Sequence, residues 1–283
     1  MAGLESATIV QPAVTSPSQN PFTNMTGIRS EDVQATERLK IAILGKPKSG
    51  KSWFAATAPG PIRYYDFDDR SESLEGKPNL FILSKPTMLQ VETDLSVMKA
   101  VVTKAKQTNT KPILPVTVVF DSVTYMNRAM EEEIFRQDPK LYRNIRVGNS
   151  TSIKIRNSWD VINGIQRYVE YLIAEFSGLG VNIIFVFHEK DEKDKAESKP
   201  EQAAYTGFVT VDPQYLANSL SLFNEVYRIT VDGNKKYEVI CRPNWDVNAS
   251  TTMMLDATEA PNIMNMIAKH KAKRAALVPA VSK

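Results

Sequence analysis

Between residues 39 and 52 the chain runs through a short apolar stretch into Gly45-Lys46-Pro47-Lys48-Ser49-Gly50-Lys51-Ser52. That segment fills every fixed position of the pattern G-x-x-x-x-G-K-[ST]. Glycines at the two ends let backbone N–H groups turn inward around a phosphate, and a helix that follows points its positive end at the same place. In such a loop Lys51 neutralises β- and γ-phosphate charge, and the Ser52 hydroxyl is a ligand for Mg²⁺. Residues 45–52 are therefore expected to cradle a nucleoside triphosphate with magnesium. The loop also constrains the fold, because it works only between a buried strand and a helix.

The rest of the middle fits that demand. Apolar runs occur at 39–44, 62–67, 80–83, 116–120 and 181–187. Several are continuous rather than alternating, as strands buried on both faces are. Helical patterns lie between them at 52–57, 88–106, 123–135 and 158–176. Strands alternating with helices imply an α/β fold built on a mostly parallel sheet. Late in the chain 223–230 and 236–242 flank Asp232-Gly233, a strong hairpin signal, so the sheet is expected to end in antiparallel strands. A last helix is expected over 257–269. Residues 1–37, rich in Ser, Thr, Pro and Asn, read as a disordered arm with at most a short helix near 31–39. The domain expectation is thus an arm (1–37), a core (38–268) and a basic flexible tail (269–283).

A carboxylate on the magnesium side should end another buried strand. Val116-Thr-Val-Val-Phe-Asp121 supplies one, although an aspartate there can equally cap the helix that follows. Three more segments carry polar residues where a strand ends. They are Tyr64-Tyr65-Asp66-Phe67-Asp68-Asp69, Val181-Asn-Ile-Ile-Phe-Val-Phe-His188, and Val239-Ile-Cys241-Arg242.

With these motifs in place, residues 38–245 resemble the RecA-like P-loop ATPases. They are most similar to the phage-encoded nucleotide-binding proteins of that group that act in single-strand annealing. The resemblance implies ATP with Mg²⁺, and a general base for water at Asp68, with Asp69 as its rival. Asp stands where the family usually has Glu, one methylene longer. The resemblance further implies a γ-phosphate sensor at His188. Arg242, with Lys235 and Lys236 behind it, is implied as the basic residue that reaches a neighbouring subunit in a homo-oligomeric ring or filament.

The family also holds single-stranded DNA with two loops, the first of which falls on residues 136–156. That segment carries Arg136, Lys140, Arg143, Arg146, Lys154 and Arg156 against a single acid, with Tyr142 available for stacking. A basic track with an aromatic suits a phosphate backbone whose bases are splayed onto a ring. The second loop, 189–212, is mixed in sign and draws phosphate weakly.

Composition removes other classes. One cysteine and two histidines leave no cysteine-rich zinc site and no internal disulfide framework, which suits a reducing, cytoplasmic setting. No apolar run approaches membrane-spanning length. The functional expectation is an ATPase of phage-type recombination that binds single-stranded DNA and promotes annealing, with a single-strand-binding protein as a further partner. Two alternatives stand beside it: a nucleotide-gated scaffold in replication or packaging, and a small-molecule kinase. The sequence has no base-reading motif that separates ATP from GTP.

Overall fold

The computed structural model describes residues 38–138, 140, 142–147, 151–156, 159–189, 220–231, 234, 236–243 and 249–277. The expected arm, its short helix, most of segment 189–212 and Lys235 lie outside the described residues.

In chain order the elements are β1 (Lys40–Gly45), α1 (Lys51–Ala55), β2 (Ile62–Asp66), a 3₁₀ turn (Ser71–Leu74), β3 (Leu80–Ser84), α2 (Met88–Gln107), β4 (Thr117–Asp121) and α3 (Val123–Gln137). There follow β5 (Tyr142–Val147), β6 (Thr151–Arg156), α4 (Trp159–Leu179), β7 (Asn182–His188), β8 (Glu225–Val231), β9 (Tyr237–Ile240), β10 (Ser250–Thr251), β11 (Thr258–Glu259) and a last helix, α5 (Ile263–Leu277). The main sheet runs β11-β9-β8-β1-β7-β4-β2-β3, with β10 paired to β8. Strands β8, β1, β7, β4, β2 and β3 are parallel, and β9, β10 and β11 are antiparallel. The antiparallel pairing begins between β8 and β9, where the hairpin signal places it, while β8 itself lies parallel to β1.

The continuous apolar runs have the reason inferred from sequence: both faces of the sheet are covered. Successive residues of a strand point to opposite faces. Ala42, Leu44, Val118, Phe120, Ile183, Phe185 and Phe187 pack on one side with Met126, Val169, Leu172 and Phe176 from α3 and α4. Ile41, Ile43, Val119, Ile184 and Val186 pack on the other with Phe54 and Ala55 of α1 and Ile263 and Met266 of α5. On the first side Phe120 stacks between Tyr65 (5.2 Å) and Phe185 (4.6 Å), fixing the middle of the sheet. α2 begins with a capping box in which Thr87 and Gln90 satisfy each other's backbone N–H groups.

Three expectations are corrected. Segment 136–156 is not a loop: α3 runs to Gln137, and β5 and β6 form an antiparallel ribbon. The boundary at 268 falls inside α5, which continues through the basic run to Leu277. That run is tied down, since Lys269 Nζ lies 2.6 Å from both Asp256 and Glu259, and Lys273 Nζ lies 2.9 Å from Asp256. The expected start at 257 is also displaced, because Thr258 and Glu259 pair with β9. No helix among the described residues is long and apolar enough to cross a membrane.

Candidate functional site

Parallel sheets gather their strand ends on one edge, and ligands of open α/β sheets bind outside the carboxyl ends of the strands. Here β1 stands between β7 and β8, and the chain leaving β1 passes over β7 and β4 to reach β2. At that edge Gly45 is level with His188, and Asp66 is level with Asp121. The ends of β1, β2, β4 and β7 thus converge on one cleft of about 290 Å³. Lys48, Ser49, Gly50, Lys51, Ser52, Asp68, Asp121 and His188 all line it.

The phosphate loop is shaped by backbone conformation. Lys48 (φ 64°) and Gly50 (φ 85°) are left-handed, which turns the chain sharply into α1, and no side chain caps that helix. Gly45 has no room for a larger residue, since a Cβ there would sit 2.8 Å from the Ile229 carbonyl oxygen. Lys51 is buried and donates to the carbonyls of Gly45 (2.9 Å) and Lys46 (2.6 Å). Burial lowers its pKa from the ordinary 10.5 to about 8, against the pull of the Asp121, Glu189 and Asp68 carboxylates. A cation held this way gains most when an anion arrives beside it.

Asp121 is buried at the end of β4, where it accepts hydrogen bonds from Tyr64 Oη and from Ser52. Burial raises its pKa above the usual carboxylate range. One buried carboxylate beside one hydroxyl is a donor set suited to Mg²⁺, which keeps several waters and takes its other ligands from substrate phosphates. Among the described residues no cluster of three or more His, Cys, Asp or Glu could hold a metal by itself. The residues present therefore fit a magnesium that arrives with a nucleotide.

The structure distinguishes Asp68 from Asp69. Asp66 accepts the backbone N–H groups of Asp68 (3.1 Å) and Arg70 (2.9 Å), bending the chain directly after β2. The bend sends Asp68 inward. Its carboxylate takes hydrogen bonds from Ser122 N (3.1 Å) and Ser122 Oγ (2.7 Å), and its second oxygen lies 2.9 Å from His188 Nε2. Asp69, with φ 54°, turns outward to Lys85 at 2.5 Å. Burial would raise the Asp68 pKa, but the His188 and Ser122 hydrogen bonds overcome it and hold the group below its usual value. His188 Nδ1 is buried without a hydrogen-bond partner.

Several members of the site are absent from the sequence reading. Glu189, directly after His188, is buried near enough to Lys51 to act on its charge, with Oε1 2.8 Å from Arg228 Nε of β8. Its backbone N–H donates to Gly45 O at 3.0 Å, so the pair sits beneath the phosphate loop. Tyr64 and Ser122 hold the two carboxylates, and Trp53 and Tyr237 border the cleft. Of these, Ser122 and Glu189 carried a sequence signal, as polar residues directly after buried runs.

Other expected residues lie elsewhere. Arg242 is two residues past β9, whose Tyr237 end faces the phosphate loop, and its guanidinium donates to Leu255 O at 2.9 Å. It does not line its own chain's cleft. Arg136 is paired with Glu133 in the last turn of α3, and Lys140 is exposed. In the ribbon Tyr142 is registered with Arg156, Arg143 with Ile155, Asn144 with Lys154 and Arg146 with Ser152.

Residues 37–260 match the family described as AAA domain. No curated protein matches the chain. Among solved structures, a KaiC-like protein from the hyperthermophilic archaeon Pyrococcus horikoshii OT3 is similar at 12% identity, with a TM-score of 0.35. That alignment covers 76% of this chain and 82% of the other. Since the family match takes in the phosphate loop, every parallel strand and the antiparallel strands through β11, the chain belongs to the AAA domain family, with a phosphate loop set in a mostly parallel α/β sheet.

Proposed function

We propose that the chain is a Mg²⁺-dependent ATPase of phage-type DNA recombination or repair, which binds single-stranded DNA and promotes annealing or strand pairing. The observation that carries this reading is the meeting of Lys51, Ser52, Asp121, Asp68 and His188 around one cleft at the strand ends. Lys51 exchanges its two loop carbonyls for the β- and γ-phosphates. Ser52 and Asp121 hold the magnesium, whose chemistry is to neutralise charge building on the phosphates. Asp68 orients and deprotonates the attacking water, and His188 ties that carboxylate to the γ-phosphate position. Arg242 acts in the cleft of a neighbouring copy, so the active form is a ring or a filament.

DNA contact rests on the ribbon and its flanks. Arg136, Lys140, Tyr142, Arg143, Arg146, Lys154 and Arg156 fall within 21 residues of chain, and the ribbon registers Tyr142 with Arg156 and Asn144 with Lys154. Such a track serves a phosphate backbone with bases stacked on an aromatic ring. ATP favours the DNA-bound assembly and hydrolysis releases it. A single-strand-binding protein is a further partner, and the setting is the cytoplasm.

One observation favours a second reading, a nucleotide-gated scaffold that hydrolyses little. Asp68 is held on both oxygens by Ser122 and His188, and its lowered pKa makes it a weak base. ATP hydrolysis measured with and without single-stranded DNA, with duplex DNA as control, separates the two. Stimulation by single strands alone supports the recombination reading; ATP-dependent DNA binding with flat, slow turnover supports the scaffold.

A further inference from the structure

Beside the phosphate cleft lies a second pocket of about 430 Å³, lined by Ser49, Gly50, Trp53, Ile229, Tyr237 and Pro261. The two share Ser49, Gly50, Trp53 and Tyr237, so they form one continuous groove whose halves differ in character. The first half is crowded with charge. The second is walled by an indole, a phenol ring, an isoleucine and a proline. Its size falls within the range of about 300–1,000 Å³ usual for small-molecule sites.

Two aromatic rings stand where the halves meet. Trp53, one residue past Ser52, is 46% exposed, and so is Tyr237, the first residue of β9. Half-exposed aromatics of that size leave apolar surface that a flat ligand would cover. Tyr237 is held over the loop itself, since a Cβ on Gly50 would meet its ring at 3.3 Å. Lys77 Nζ covers one side of the Trp53 ring at 3.9 Å from its centre, so stacking falls to the other side. The hydrogen-bonding groups among the side chains of this pocket are the Ser49 and Tyr237 hydroxyls and the Trp53 indole N–H. Among the described residues it has no carboxylate to accept from the guanine edge, and no side-chain amide to pair with adenine.

We infer that the base and ribose of the nucleotide whose phosphates enter the loop lie in this apolar half. They are held by stacking on Trp53 and Tyr237, without hydrogen bonds that read the base edge, so the site takes adenine and guanine nucleotides alike. The inference rests on the phosphate-loop reading. Stacking is tolerant because every base has a π-face, whereas strong discrimination needs buried polar groups that the wrong base leaves unpaired.

The test is calorimetric titration, with Mg²⁺ present, of the β,γ-imido analogues of ATP and GTP and of inorganic tripolyphosphate. The two analogues should bind within about threefold of each other, since stacking alone tells purines apart poorly. Trp53→Ala and Tyr237→Ala should each weaken both by about tenfold or more, near 1.4 kcal/mol. Tripolyphosphate affinity should stay at the native value in both variants, and Trp53→Phe and Tyr237→Phe should retain purine affinity. A preference of more than about fiftyfold for one purine requires base-reading groups and would overturn the inference. So would alanine variants that lose no analogue affinity, or that lose tripolyphosphate affinity equally. Native protein that binds neither tripolyphosphate nor either analogue would instead remove the phosphate-loop reading on which the inference stands.

Discussion

Lys51 should destabilise the protein it serves, and the size of that effect follows from its surroundings. Lys51 is 4% exposed, and its ammonium donates to two backbone carbonyls. Burial takes its pKa from 10.5 to about 8 despite three carboxylates that work in the opposite direction. Between those two pH values the unfolded chain holds the proton and the folded chain has released it. The unfolded state then binds more protons, so stability rises with pH across this window. At about 1.4 kcal/mol per pH unit, the full effect is about 3 kcal/mol. The perturbation is Lys51→Met, which keeps the apolar stem and removes the charge. Urea unfolding of both proteins without nucleotide, from pH 7 to 10.5, cancels the other titrations because both share them. The stability of the variant relative to native should fall by about 3 kcal/mol across that range, most of it above pH 8. The affinity of the native protein for a nucleotide analogue should fall over the same range by about tenfold per pH unit above 8, because the phosphates select the charged lysine. A stability difference that is constant with pH, or that moves the other way, would refute the assignment of Lys51 as a buried cation of lowered pKa.

Further outcomes follow from the same site. Asp68→Asn should reduce single-turnover ATP hydrolysis by at least about a hundredfold while analogue affinity stays within a few fold, as loss of a general base does; equal turnover would move that role elsewhere. Glu189→Gln leaves the largely buried Arg228 guanidinium without its carboxylate, and urea unfolding should show a loss of about 2 kcal/mol, below the range for a fully buried pair. An unchanged midpoint would mean that the pair adds nothing beneath the loop. Replacing Arg143 and Arg146 together by Ala should lower the steepness of log affinity against log salt for single-stranded DNA by about 1.4, followed by fluorescence anisotropy. An unaltered slope would take the ribbon out of the DNA contact.

How much was legible in the sequence depended on how local the chemistry is. The phosphate loop was readable because its glycines, lysine and serine lie within one short window, and Asp121 because an apolar run ends on it. The parallel sheet was readable because strands covered on both faces leave no polar alternation. The separation of Asp68 from Asp69 was not readable. It depends on the turn made by Asp66 and on Lys85 drawing Asp69 outward. Pairings across the sheet, Asp68 with His188 and Glu189 with Arg228, need the strand order before they can be seen. The ribbon was passed over because charge dominated the reading of 136–156. Its signal was present in the alternation of Ile145 with Val147 and of Ile153 with Ile155, on either side of Gly148 and Asn149. Trp53 and Tyr237 could not be told from surface aromatics until β9 was laid against the loop.

The most direct test of the central claim is equilibrium binding of Mg²⁺ with the β,γ-imido analogue of ATP, compared between native protein and Lys51→Ala and repeated in excess EDTA. Binding by the native protein that weakens by about a hundredfold or more in the variant, as loss of a charge-assisted phosphate contact implies, and that weakens again without Mg²⁺, is the expected result. Equal affinity in native protein and variant would contradict the claim that residues 45–52 hold a nucleotide.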